Sequence, residues 1–101
     1  MPTIEQALEY MGIDYVDDMI RNNVTRAMAT AARTLRGAVG DDVMDLLPGD
    51  ERVAELILIY TDDLYSVRGV GDKVSAATRK LVHTMEWQLT LELRRVREAR
   101  A

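Results

Sequence analysis

Residues 52–68, R-V-A-E-L-I-L-I-Y-T-D-D-L-Y-S-V-R, limit what this chain can fold into more than any other stretch. At ~100° per residue, Val53, Leu56, Ile57, Tyr60, Leu64 and Val67 fall on one stripe, and Ala54, Leu58 and Tyr65 widen it beyond the apolar arc of an ordinary surface helix. A helix this apolar needs neighbours on two sides. It is therefore predicted to be the hub of an all-α domain, with the other segments packed around it.

The segments before it carry helix signals of their own. Thr3 and Gln6 have capping-box spacing and open a short helix whose apolar positions are Ile4, Ala7, Leu8 and Met11, with Gly12 at its end. Asp14 is the expected N-cap of a longer helix, with Asp17 and Asp18 in its first turn, where the helix dipole favours negative charge. Its apolar face reads as Val16, Met19, Ile20, Val24, Ala27, Met28, Ala31 and Leu35, and its opposite face as Asn22, Arg26, Ala29, Arg33 and Arg36. Ala27, Ala31 and Ala32 are small enough for another helix to approach closely. Gly37 and Gly40 close this helix to within a turn. Residues 41–47 have room for one helical turn, with Val43, Leu46 and Leu47 inward, before P-G-D at 48–50 resets the chain and Asp50 caps the central helix. R-G-V-G-D at 68–72 ends that helix.

The last segment, from Asp72, places Val74, Ala77, Leu81, Val82, Met85 and Leu89 on one side. Residues 87–94, W-Q-L-T-L-E-L-R, alternate as a strand does, yet Met85, Leu89, Leu93 and Val96 continue a helical stripe. Helix is the favoured reading and a short strand the alternative. In the helix, Glu92 sits on the stripe while Trp87 and Leu91 point away from it. The expected fold is a small bundle of three main helices plus a short N-terminal helix, forming one domain over residues 1–101.

Composition removes several functional classes. The chain has no cysteine and one histidine, His83, so a disulfide framework, a cysteine-ligated zinc site and a multi-histidine metal site are all excluded. The amino terminus lacks a basic region followed by an apolar run, and no stretch approaches the ~18 apolar residues of a membrane span. A soluble, unprocessed chain with no membrane partner is expected. G-V-G-D-K at 69–73 looks only superficially like a phosphate loop, because it follows a helix and lacks the G-x-x-x-x-G-K-[ST] spacing. The pairs Asp17/Asp18, Asp41/Asp42 and Asp62/Asp63 lack the alternating spacing of a calcium loop. His83 has no Ser or Cys partner at a recognisable spacing and is expected on the solvent side. No catalytic residue, metal ligand or cofactor is expected, and the chain reads as a non-enzyme.

Charge is unevenly distributed. The net charge is −4, but residues 1–72 carry 6 basic and 14 acidic groups while residues 73–101 carry 7 and 3, about −8 followed by +4. The basic end, about residues 94–101, holds Arg94, Arg95, Arg97 and Arg100, preceded by Arg79 and Lys80. Such a run is ordinarily a solvated face or a complement to the helix dipole; docking onto an acidic neighbour and lining a path for DNA are the functional alternatives. An outward Trp87 with Leu91 marks a contact surface, unless a strand or bend buries the pair. The candidate subunit or partner interface is therefore Trp87, Leu91, Arg94, Arg95 and Arg97. Arg68, three residues after Tyr65, reads as a structural clamp whose stem lies along apolar surface, or else as a partner-binding group.

These residues also carry a family pattern. The chain has a short capped helix (T-I-E-Q-A-L-E-Y-M-G-I-D), a helix with Ala31-Ala32-Arg33 at its core, and a loop. Then comes an apolar helix ending in L-Y-x-x-R (Leu64, Tyr65, Arg68), and a last segment with Gln88 and Leu89 before Arg94 and Arg95. In this order of elements, over residues 3–95, the chain resembles the head–tail connector (adaptor) proteins of long-tailed bacteriophages, a family also labelled putative DNA-packaging proteins. It departs from them at residues 61–63, T-D-D, where small or apolar residues are expected. The resemblance implies a structural, non-enzymatic protein of the virion, assembled in the host cytoplasm. In that family, copies form a ring of about a dozen under the portal, extend the channel through which DNA passes as cargo, and give the next head-completion or tail-joining protein a docking surface. Two other readings stay open: a small helical regulator that binds DNA through its basic C-terminal segment, and a generic helical dimer.

Overall fold

Capping and periodicity place five helices among the described residues. The structure is a computed structural model that describes residues 1–69 and 76–100, with side chains described for residues 1–65 and 79–100. In order these are α1 (Ile4–Tyr10), α2 (Asp18–Val39), α3 (Val43–Leu46), α4 (Glu51–Gly69) and α5 (Ala76–Arg100), and no strand occurs among the described residues. The all-α bundle read from the sequence is the observed fold.

Thr3 caps α1 through a full capping box: its hydroxyl accepts from the Gln6 amide, and the Gln6 side chain accepts from the Thr3 amide. The N-cap of α2 differs from expectation. Asp17, not Asp14, accepts from the Ile20 amide at 2.8 Å, so the helix starts one turn later than predicted. Asp14 belongs to the connection between α1 and α2. Asp50 caps α4 as expected, accepting from the Arg52 amide at 2.9 Å and from the Arg52 guanidinium as well.

The pairing of α2 with α4 is the spine of the molecule. Val24 and Met28 share one apolar cluster with Leu58 and Tyr65, while Leu35 and Val39 share another with Val53 and Leu56, so the two helices run antiparallel. The first cluster is closed by α1, through Ala7 and Leu8. The second is closed by α5, through Met85, Leu89 and Leu93, and by Val43 of α3. Leu58 faces the α1 side and the Tyr60 hydroxyl donates to the Glu86 carboxylate on the α5 side. Two residues apart, they lie roughly 200° apart around the helix. The central helix is thus covered on both flanks as well as by α2, which is what its wide apolar arc demands.

Of the T-D-D segment, Thr61 lies on the core side of α4. It is fully buried, and its hydroxyl donates to the Ile57 carbonyl at 2.6 Å, so the side chain behaves as a small apolar group. Ile59, absent from the predicted arc, is also buried.

Two predicted core positions are exposed. Met19 is 69% exposed because, at ~100° per residue, it lies roughly 140° from Val24 around α2, nearly opposite the core. Leu81 is 53% exposed because it lies roughly 80° from Leu89, at the edge of the α5 stripe. The expected loop at 68–72, the Asp72 start of the last helix, and the side chains of Val67, Arg68, Val74 and Ala77 lie outside the described residues.

Candidate interaction surface

In α5 the question of helix or strand decides where four side chains point. A strand over residues 87–94 would put Trp87, Leu89, Leu91 and Leu93 on one face. The helix separates them: Leu89 and Leu93 are fully buried, while Trp87 is 62% and Leu91 43% exposed on the opposite side. Trp87 and Leu91 are one turn apart, and Arg94 follows within roughly 60° of both. Lys80 and Glu98 continue the same strip two turns before and three turns after Trp87. All five are exposed.

The other two arginines of the predicted interface are engaged with carboxylates, Arg95 roughly 40° from Leu91 at the edge of the strip and Arg97 roughly 120° from it. Arg95 pairs with Glu92 within its own helix. The Arg97 guanidinium bonds both carboxylate oxygens of Asp42, the residue preceding α3, and its presence holds that carboxyl below its ordinary range. Arg97 is therefore an anchor for α5. Its neighbour in that anchor is Gly40, the C-cap of α2 at φ +155°, where an added Cβ would stand 2.7 Å from Leu93 Cδ2 and 2.6 Å from Arg97 Nη2. Of the five predicted residues, Trp87, Leu91 and Arg94 thus share an exposed strip with Lys80, and Arg95 and Arg97 are exposed but paired with Glu92 and Asp42.

His83 is exposed as expected, with Nδ1 3.8 Å from Glu86. Glu86 also receives the Tyr60 hydroxyl, and burial, reinforced by that carboxylate, pushes the Tyr60 phenol well above its ordinary value. The group is a half-buried latch between α4 and α5.

Leu64 and Tyr65, the family-pattern residues with described side chains, are half-buried. Leu64 packs on the cluster that holds α5 and Tyr65 on the cluster that holds α1. Together with Asn23, Arg26, Ala27 and Thr30 they line a cleft of about 120 Å³ between α2 and α4. That is well below the roughly 300 Å³ at which cofactor and substrate sites begin. Among the described residues no group of three or more His, Asp or Glu side chains is placed to hold a metal ion, and no helix is long and apolar enough to cross a membrane.

A second exposed apolar surface was not read from the sequence. Tyr15, in the connection before α2, is 74% exposed, and Met19, in the first turn of α2, is 69% exposed, with Asp14, Asp17 and Asp18 exposed beside them in the chain. The sequence signal was present in the acidic run flanking an aromatic residue, but assigning Met19 to the core face concealed it.

Comparison of the chain with protein-family models, with curated proteins and with solved structures finds no match. The connector resemblance therefore rests on the order of elements and on short motifs.

Proposed function

We propose that this chain is a structural head-completion adaptor: copies assemble into a ring under a phage portal, extend the DNA channel and offer a docking surface to the next head-completion or tail-joining protein. The observation that carries the reading is the outer strip of α5, where Trp87 and Leu91 stand exposed beside Arg94 on the side opposite the core. A Trp and a Leu left in water one turn apart cost apolar burial that a partner would recover, and Trp and Arg are the residues that most often anchor protein contacts. The order of helices, with an apolar central helix ending in Leu64-Tyr65, fits the connector pattern. The uneven charge gives each copy acidic and basic regions that favour one orientation of approach.

The role is non-enzymatic, and DNA is cargo in the channel rather than a ligand. The alternative, a regulator binding DNA through the basic segment, draws less support because Arg95 and Arg97 are already paired with Glu92 and Asp42. Co-sedimentation with the portal protein encoded in the same genome tests the proposal: a stable, stoichiometric complex supports it, and absence of binding overturns it. A low-salt gel shift that weakens steeply as salt is added would instead favour the DNA-binding reading.

A further inference from the structure

We infer that the outer strip of α5 is one half of a head-to-tail contact whose other half is the exposed start of α2 on the next copy of the chain. The inference rests on the reading of the chain as a self-assembling adaptor, and it names which two surfaces meet.

Three observations converge on this pairing. The first is chemical: Trp87 and Leu91 are bordered by Lys80 and Arg94, cations with no ion-pair partner among the described residues, whereas Tyr15 and Met19 are bordered by Asp14, Asp17 and Asp18. The α5 strip is thus apolar with a basic border, and the start of α2 is apolar with an acidic border, Arg26 following two turns further along the Met19 face. The second is exposure: Tyr15 and Met19 are the two most exposed large apolar side chains among the described residues, and Trp87 is the most exposed aromatic after Tyr15.

The third is placement. Met19 lies twelve residues before Ala31, the first α2 residue in the cluster that holds α5, a separation of roughly 18 Å along the helix. Within one chain Tyr15, Met19, Trp87 and Leu91 are all exposed, so neither surface covers the other. A second copy can supply the missing half. Because the surfaces differ, the contact is heterologous, and repetition of it closes into a ring when the rotation between copies permits. Pairing α5 with α5 is disfavoured, since each strip carries Lys80 and Arg94 against the single anion Glu98.

The absence of cysteine makes a clean test available. Met19→Cys and Leu91→Cys chains, both altered at exposed positions, are mixed in equal amounts in a thiol-exchange buffer at a concentration where the wild-type chain assembles. The mixed 19–91 disulfide is expected in clear excess over the 19–19 and 91–91 pairs. In parallel, Met19→Asp and Trp87→Asp chains, each with unchanged helicity, are expected to stay monomeric alone and to stop at a one-to-one dimer when mixed, because each retains one good surface. Like and unlike disulfides in statistical proportion, or assembly of either Asp variant on its own, would overturn this pairing and leave the adaptor reading standing. A wild-type chain that stays monomeric at every concentration would overturn the pairing, and portal binding would then decide the adaptor reading separately.

Discussion

Tyr60 and Glu86 form a side-chain link between the central helix and α5 away from its anchored end. The fold holds the phenol neutral, so its contribution is fully present below the ordinary phenol value of 10.0 and is lost as pH rises toward the raised value of the folded state. Tyr60→Phe is expected to cost about 1 kcal/mol at neutral pH and to flatten the loss of stability above pH 10, as read from urea unfolding at the two pH values. At this scale the sequence was readable where one interaction decides the outcome, as in the Thr3 capping box and the Asp50 cap. It was less so where several acids compete: Asp14, Asp17 and Asp18 all suit a helix start, and only the hydrogen bond to the Ile20 amide selects Asp17. Thr61 looked like part of an acidic departure because its back-bond to Ile57, which makes it fit a buried site, depends on the helix already being formed.

Among the elements, α5 depends on how the α2–α3 junction receives it. Gly40 leaves room for Leu93 and Arg97, and its φ of +155° is a conformation that side chains resist. Gly40→Ala is expected to destabilise the fold by roughly 1–3 kcal/mol and to speed amide exchange selectively around Leu89 and Leu93. For the central helix, Leu56→Ala removes a fully buried side chain and is expected to cost about 2–5 kcal/mol, whereas Met19→Ala on the exposed side of α2 should stay within about 0.5 kcal/mol. Denaturant unfolding of the two variants side by side checks the corrected face of α2. Helix number and order were legible because long periodic runs such as 52–68 admit one solution. The state of 87–94 was not, because alternation and a 3.6 repeat coincide there, and only the burial of Leu89 and Leu93 without Trp87 and Leu91 separates them.

Over the whole molecule, one spine carries two differently closed ends: α1 over Val24 and Met28, and α5 with α3 over Leu35 and Val39. The apolar-and-basic strip of α5 and the apolar-and-acidic start of α2 are left outside these closures. Half of this candidate contact was legible in the sequence through Trp87 and Leu91. The partner half was not, because Met19 is apolar and reads as core although it lies roughly 140° from Val24 around α2. The proposed assembly brings these two surfaces together between copies. Sedimentation velocity of the wild-type chain over a wide concentration range, alongside Trp87→Asp, measures this directly. The wild type should pass from an 11.4 kDa monomer to a discrete closed species of on the order of a dozen copies, and Trp87→Asp should remain a folded monomer. A wild-type mass that stays at 11.4 kDa throughout, or a Trp87→Asp chain that assembles equally well, would contradict it.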